Sequence, residues 1–590
     1  MKDFVKMTLA VVLGLFIAGL AMFFFSLMMI GSLAALGSSQ PTMPKEAVLT
    51  VDMSTFVFSE QTQEPDPLAS LQGGDSRSYL GILSAVRAVN AAAEDPAVKF
   101  MYLRPDGVAG GLSQLEEFRK ALKNFRNSGK AIIALTETPT NGSYYLASVA
   151  DKILMYDYAG GMNMITGLST QMFFLKDILD KLGINVQLIR HGKYKSAGEM
   201  FIKNDISPDN RLQNEVMLKS IWSAWTKAIS EDRDITEEEF NSLVDNLALN
   251  DPQDFLDNGL VDELMDKEGF KERLTGLYGA EKFDDIKTIS IQDYAVLKNT
   301  PNIKAKEKIA IIYAEGNIID GRGKEQIAGD RFASIIADVR KDSTVKAVVL
   351  RVNSPGGSVV ASDKIKVELD LLRKDKPLIA SYGNYAASGG YWISNNCDYI
   401  FSNATTLTGS IGVYSMIPDF SRTAKEIAHV NVVTIGSNRH GDMYSGMRPL
   451  DRAELAYMQK SVEDIYTRFT SIVAEGRDMT VEAVDEIAQG RVWAGSDALE
   501  IGLVDQIGTL EDAVSYAMAS IGGSDLSAYQ IAEYPKPLTT IEKLMESFGG
   551  NNASVLKGTP FEPVEKAFRD WNGSNSGQVY ARLPYEFEFK

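Results

Sequence analysis

The chain has 590 residues, 45% of them hydrophobic, too many for one ordinary core and enough for two packed domains. A formal net charge of −18 argues against a nucleic-acid-binding protein, because phosphates require a basic surface. The single cysteine, Cys397, can form no internal disulfide and reads as buried packing, no Cys/His cluster has metal-site spacing, and only His191, His429 and His440 are available for imidazole chemistry.

At the N-terminus no charged residue occurs between Met7 and Ile30, and the run from Leu9 to Met29 is almost wholly apolar. As a helix it is long enough to cross a hydrocarbon layer of about 30 Å. The expectation is an anchor within residues 1–36, with Lys2 and Lys6 holding the N-terminus in the cytoplasm and the remainder exported. A cleavable signal peptide is the alternative, but its apolar region is shorter, about 7–15 residues, and Ser32-Leu33-Ala34-Ala35 is a weak cleavage site.

The next feature is an internal repeat. VKFMYLRPDGVAGG from Val98 resembles VKAVVLRVNSPGG from Val345, and the same order then recurs. Asn141-Gly142-Ser143-Tyr144-Tyr145 answers Ser388-Gly389-Gly390-Tyr391-Trp392, and Asp151-Lys152-Ile153 answers Asp398-Tyr399-Ile400; 388 − 141 and 398 − 151 both give 247. Thr166-Gly167 answers Thr408-Gly409, and RHGKYKSAG from Arg190 answers RHGDMYSG from Arg439. Short apolar runs such as Val345–Val352 alternate with amphipathic stretches such as Asp363–Arg373, the pattern of buried parallel strands and crossover helices. An α/β fold in two copies follows, spanning 45–298 and 306–546. The polar, proline-containing stretch Leu297–Lys306 joins them, and 547–590 reads as a tail.

In the second copy a strand from Leu378 leads into Ala386-Ala387-Ser388-Gly389-Gly390-Tyr391, where small residues let a substrate backbone approach the Ser388 hydroxyl. Upstream, Gly356 and Gly357 in NSPGGS can aim backbone N–H groups at an oxyanion. Taken singly, these are also what an N-cap serine and a glycine turn look like. The serine needs a base. His191 and His440 occupy equivalent RHG positions, which suggests a structural role, so a lysine is the better candidate. Lys195 lies among small residues in YKSAG; if buried, its amine could fall to a value where it is neutral, whereas an ordinary lysine is exposed and charged.

The repeat bears on this choice. The first copy has Asn141 where the second has Ser388, and the second has Tyr444 where the first has Lys195. Neither copy keeps both groups, as expected if the halves pack to build one composite site.

NSPGGS at Asn353, AASGGYW at Ala386, TGSIGV at Thr408 and YKSAGE at Tyr194 together resemble the signal peptide peptidase A (protease IV) family in its long, duplicated form, over nearly the whole chain. The resemblance implies Ser388 as nucleophile, Lys195 as general base, Gly356 or Gly357 in the oxyanion hole, and Ser410 as the residue that orients the lysine, a helix cap being the alternative for Ser410. It further implies two tandem Clp/crotonase-like domains, no metal or cofactor, and a homo-oligomer held at the inner membrane with its catalytic domains on the periplasmic side. Peptide substrates would be signal-peptide remnants and other small or unfolded polypeptides. One local departure is Met200-Phe201-Ile202 after Glu199, where long-form members often carry a proline. Two other readings are an acyl-CoA enzyme on a crotonase-type fold, with little need for Ser388, and a catalytically inactive peptide-binding scaffold.

Overall fold

The computed structural model describes residues 6–8, 13–20, 22, 41–64, 77–158, 163–299, 302–324, 326–539, 542 and 579–583. Among these no helix is long and apolar enough to cross a membrane, and most of the expected span Leu9–Met29 lies outside them. Met1–Lys45 and Glu46–Lys590 are two compact units; both copies of the repeat belong to the second.

The first copy contains β1 (Ala47–Asp52), β2 (Phe56–Ser59), β3 (Ser78–Gly81), β4 (Val98–Arg104), β5 (Ile132–Thr136), β6 (Lys152–Tyr156), β7 (Asn185–Arg190), β8 (Glu263–Met265) and β9 (Thr288–Ser290). Six of these form a parallel sheet in the order β8-β6-β5-β4-β1-β9. The second copy contains β10 (Glu307–Glu315), β11 (Ile318–Ile319), β12 (Ile327–Ala328), β13 (Val345–Ser354), β14 (Gly356–Ser358), β15 (Leu378–Ala387), β16 (Tyr399–Ser402), β17 (Leu407–Gly409), β18 (Tyr414–Asp419), β19 (Val492–Ala494), β20 (Gln506–Ile507) and β21 (Tyr529–Tyr534), and is followed by β22 (Tyr580–Arg582). Its parallel path β20-β16-β15-β13-β10-β21 repeats the first sheet strand for strand. The helices repeat too: Ile82–Glu94 matches Gly329–Lys341 at 13 residues each, and Pro208–Arg233 matches Arg452–Arg477 at 26.

β13 illustrates why the apolar runs become central strands. Val348, Leu350 and Val352 pack to one side with Ile365, Leu369 and Leu372 of the helix Val359–Asp375. Ala347 and Val349 pack to the other side with Leu510, Ala513 and Val514 of the helix Leu510–Ser520. Side chains alternate across a strand, so a run buried on both faces must be apolar throughout. Each buried Val or Leu contributes about 1.5–3 kcal/mol.

Among the contacts that join the copies, two bear on the site. The buried Arg351 guanidinium of β13 forms ion pairs with Glu60 (2.7 Å) and Glu117 (2.8 Å) of the first copy. It also donates to Ser381 Oγ and the Tyr382 carbonyl. The second joint is a mixed sheet, β12-β11-β14-β22-β18-β7, in which β7 of the first copy pairs antiparallel with β18 of the second from Asn185↔Asp419 to Arg190↔Tyr414. That pairing carries the chain after β7 into the second copy.

Candidate active site

Ser388 stands where β15, which runs through Ala387, ends and the helix Gly389–Ser394 begins. Its backbone has φ 55° and ψ −112°, a conformation disfavoured for any residue with a Cβ and worth about 1–3 kcal/mol of strain. The surroundings hold it there: Ser388 N–H donates to the Gly409 carbonyl at 2.8 Å, and Trp392 N–H donates to the Ser388 carbonyl at 2.7 Å. Trp392 is fully buried against Phe469. A Cβ on Gly390 would come within 2.7 Å of the Ser354 carbonyl oxygen, so only glycine permits this approach. Although Ser388 occupies the N-cap position, its hydroxyl caps nothing.

The hydroxyl instead lies 2.8 Å from Lys195 Nζ. Lys195 follows β7, and its Nζ donates to Ser410 Oγ at 2.9 Å and to the Ser410 carbonyl at 3.1 Å. These three contacts equal in number the positions that an amine nitrogen has left beside Cε. A neutral Lys195 gives its two N–H bonds to Ser410 and turns its lone pair toward Ser388. The side chain is completely buried, and burial holds the amine well below the ordinary lysine value of 10.5. Two glycines make room for it. A Cβ on Gly490, at φ +82°, would stand 2.5 Å from Lys195 Cβ, and one on Gly412 would stand 3.3 Å from Lys195 Cδ.

Ser410 follows β17 at φ 50°, held by its N–H bond to the Arg491 carbonyl at 2.7 Å; it caps no helix. The loop around Lys195 is held by groups that sequence reasoning missed. Gln213 Nε2 donates to the Tyr194 carbonyl (3.1 Å), Gln213 Oε1 accepts from Val492 N–H (3.2 Å), and Ser196 Oγ bonds Asn210 Oδ1 (3.0 Å). The only sequence signal for them was polar residues at the inward positions of the helix Pro208–Arg233.

The glycine pair divides its tasks. Gly356, at φ +100°, donates its N–H to Ser354 Oγ (3.2 Å), and its missing Cβ leaves room for the Ala581 carbonyl beside the Gly389 nitrogen. Gly357 lies in β14, paired with β22, and Gly389 directly follows the serine.

The histidines are engaged elsewhere. His191 Nδ1 is 2.7 Å from Glu463 with the ring stacked on Tyr466, and His440 Nδ1 is 2.8 Å from Glu454. His440, Asp451 and Glu454 converge, but both Glu454 carboxylate oxygens already accept from Arg448 at 2.7 Å. Cys397 is buried, which pushes its thiol up to about 12. In the first copy Asn141 accepts from the Thr166 and Gly167 N–H groups and donates to the Gly167 carbonyl, clamping its loop. Tyr444 is largely at the surface, its hydroxyl against Met458.

Comparison with known proteins gives the family. A family model described as Peptidase family S49 matches residues 124–280, which include Lys195, and 370–522, which include Ser388 and Ser410. The chain is 34% identical to Protease 4 of Haemophilus influenzae, over 84% of this chain and 82% of that protein. It is 30% identical to the chloroplastic serine protease SPPA of Arabidopsis thaliana, over 79% and 70%. A solved structure of a ClpP1 point mutant from Listeria monocytogenes aligns at 15% identity over 35% of this chain and 94% of its own, with a TM-score of 0.23, too slight a likeness to carry an argument.

Proposed function

The chain belongs to peptidase family S49 and is a serine peptidase of duplicated α/β architecture, and we propose that Ser388 is its nucleophile and Lys195 its general base. The observation that carries this is the buried 2.8 Å contact between the two, made across the copies. The neutral amine takes the Ser388 proton as Oγ adds to the substrate carbonyl. The oxyanion is met by the Gly357 and Gly389 N–H groups. Lys195 returns the proton to the leaving amine, and water then hydrolyses the acyl-enzyme by the same relay. Ser410 keeps the lone pair on target. The test is turnover of a reporter peptide by the purified full chain: Ser388→Ala should abolish it, and retained turnover would remove the assignment.

As substrates we propose cleaved signal peptides and other small or unfolded polypeptides, met at a membrane by two Clp/crotonase-like halves carried on the apolar run Leu9–Met29, with the catalytic unit on the periplasmic side. What supports this is the apolar wall beside Ala387, formed by Met217, Ile221, Leu407, Val492 and Ala494, together with Lys2 and Lys6 before the run. A matched pair of peptides, leucine-rich and glutamate-rich, should be cut in that order of preference, and the reverse order would count against the substrate class. Retention in the membrane pellet after alkaline extraction tests the anchor; release would refute it.

Copies of the chain are also proposed to assemble. Shortly before the second RHG triplet, Val430, Val432, Val433 and Ile435 are exposed at 52, 49, 81 and 95%, an apolar stretch suited to another copy. Sedimentation should give an oligomer that Val433→Asp weakens; a monomer at micromolar concentration would contradict it.

A further inference from the structure

The groove in front of Ser388 is occupied by the protein itself. β22 enters between β14 and β18 and pairs antiparallel with both, Tyr580 lying opposite Ser358 on one side and Tyr414 on the other. On the β14 side the register continues as Gly357↔Ala581 and Gly356↔Arg582, and Leu583 N–H donates to the Pro355 carbonyl at 2.7 Å. In an antiparallel ladder, hydrogen-bonded pairs alternate with non-bonded ones. With Pro355 and Leu583 a bonded pair, the next is Gly357 and Ala581, so the Gly357 N–H faces the Ala581 carbonyl.

A second observation places the same oxygen. A Cβ on Gly356 would lie 2.2 Å from the Ala581 carbonyl oxygen and 2.6 Å from the Gly389 nitrogen, and a Cβ on Gly389 would lie 3.0 Å from that oxygen. The Ala581 carbonyl therefore rests between Gly356 and Gly389 and, by the ladder register, in front of the Gly357 N–H, so it stands at both proposed oxyanion donors, Gly357 and Gly389. Its methyl group is fully buried. Two residues on, Leu583 is 2% exposed and packs into the apolar wall of Met217, Ile221, Ala387, Leu407, Val492 and Ala494. A strand with its carbonyl on the oxyanion donors and flanking side chains in closed pockets is bound as a substrate is bound.

We propose that residues 579–583 are a substrate of this active site, and that Ser388 cleaves the bond between Ala581 and Arg582. The proposal rests on the dyad reading above. Ser388 Oγ passes its proton to Lys195 Nζ and bonds to the Ala581 carbonyl carbon. The Ala581–Arg582 C–N bond then breaks, and the Arg582 nitrogen leaves with the proton from Lys195. One water hydrolyses the Ala581 ester, giving a carboxylate and restoring Ser388. Until that cut the segment fills the groove; afterwards the residues beyond Ala581 are free to leave, and Leu583 vacates the apolar wall for other peptides.

The experiment is intact-mass and C-terminal peptide analysis of the full chain over time, with turnover of a leucine-containing reporter peptide measured in parallel. The wild type should lose residues 582–590 and end at Ala581, while Ser388→Ala keeps them. Ala581→Arg, too large for the closed pocket, should keep the segment from seating in the groove, so that residues 582–590 remain while the reporter is hydrolysed. A wild type that turns over the reporter yet stays uncut, or is cut elsewhere, overturns the proposal and leaves the dyad standing. Cleavage after Ala581 in Ser388→Ala also overturns it, since another protease would be responsible. A wild type inert toward both reporter and itself would overturn the dyad reading and this proposal together.

Discussion

Gly490→Ala isolates the geometry of the base from its chemistry. Gly490 touches no reacting atom, but a Cβ there would stand 2.5 Å from Lys195 Cβ and 2.7 Å from its Cα and N, where ordinary contacts begin at 3.4 Å. The lysine backbone would have to retreat by about 1 Å, and the new alanine would also sit at φ +82°, a left-handed conformation costing about 1–2 kcal/mol. A misplacement of about 1 Å in a catalytic group lowers the rate by about 10²-fold. The variant should therefore fold, melt slightly below the wild type and lose about 10²-fold in kcat, with KM little changed because the substrate groove is untouched. The assay is steady-state hydrolysis of a reporter peptide alongside thermal melting. Wild-type kcat in a folded Gly490→Ala would refute the claim that the position of Lys195 limits the reaction.

The buried amine also governs pH dependence. Activity should rise with pH through an apparent pKa well below 10.5, because burial lowers the value for Lys195 and only the neutral form accepts a proton. Between that lowered value and 10.5 the unfolded chain binds a proton that the native chain does not, so stability should rise with pH across this window. Lys195→Met should abolish activity and flatten that part of the stability profile, and an unchanged slope in urea titrations would contradict it. At the joint between copies, Arg351→Met strands the buried Glu60 and Glu117 carboxylates and should cost about 3–5 kcal/mol. An unchanged urea midpoint would show that the joint does not hold the copies together.

The repeat was legible because its strands must be apolar throughout to be buried on both faces, as at Val345–Val352 and its counterpart at Val98. The exchange of roles between Asn141 and Ser388 was legible for the same reason, since aligned copies expose a substitution. Contacts distant in sequence were not legible. Gly490 and Gly412 look like ordinary turn glycines in the chain and acquire meaning only when Lys195 arrives from a distant part of the sequence, 490 − 195 = 295 and 412 − 195 = 217 residues away. The pairing of β7 with β18 could not be read, because strand registers are set by tertiary packing. The segment 579–583 fell within what sequence treats as a tail, although Val579-Tyr580-Ala581-Arg582-Leu583 alternates in the manner of a strand.

On the proposed mechanism two copies, each missing one group, build a single catalytic centre. It is tested most directly by titrating the full chain with a serine-directed phosphonate and locating the adduct by mass spectrometry. One label per chain, on Ser388, with labelling slowed by orders of magnitude in Lys195→Met, is the predicted result. A label in the first copy, or undiminished labelling without Lys195, would contradict it.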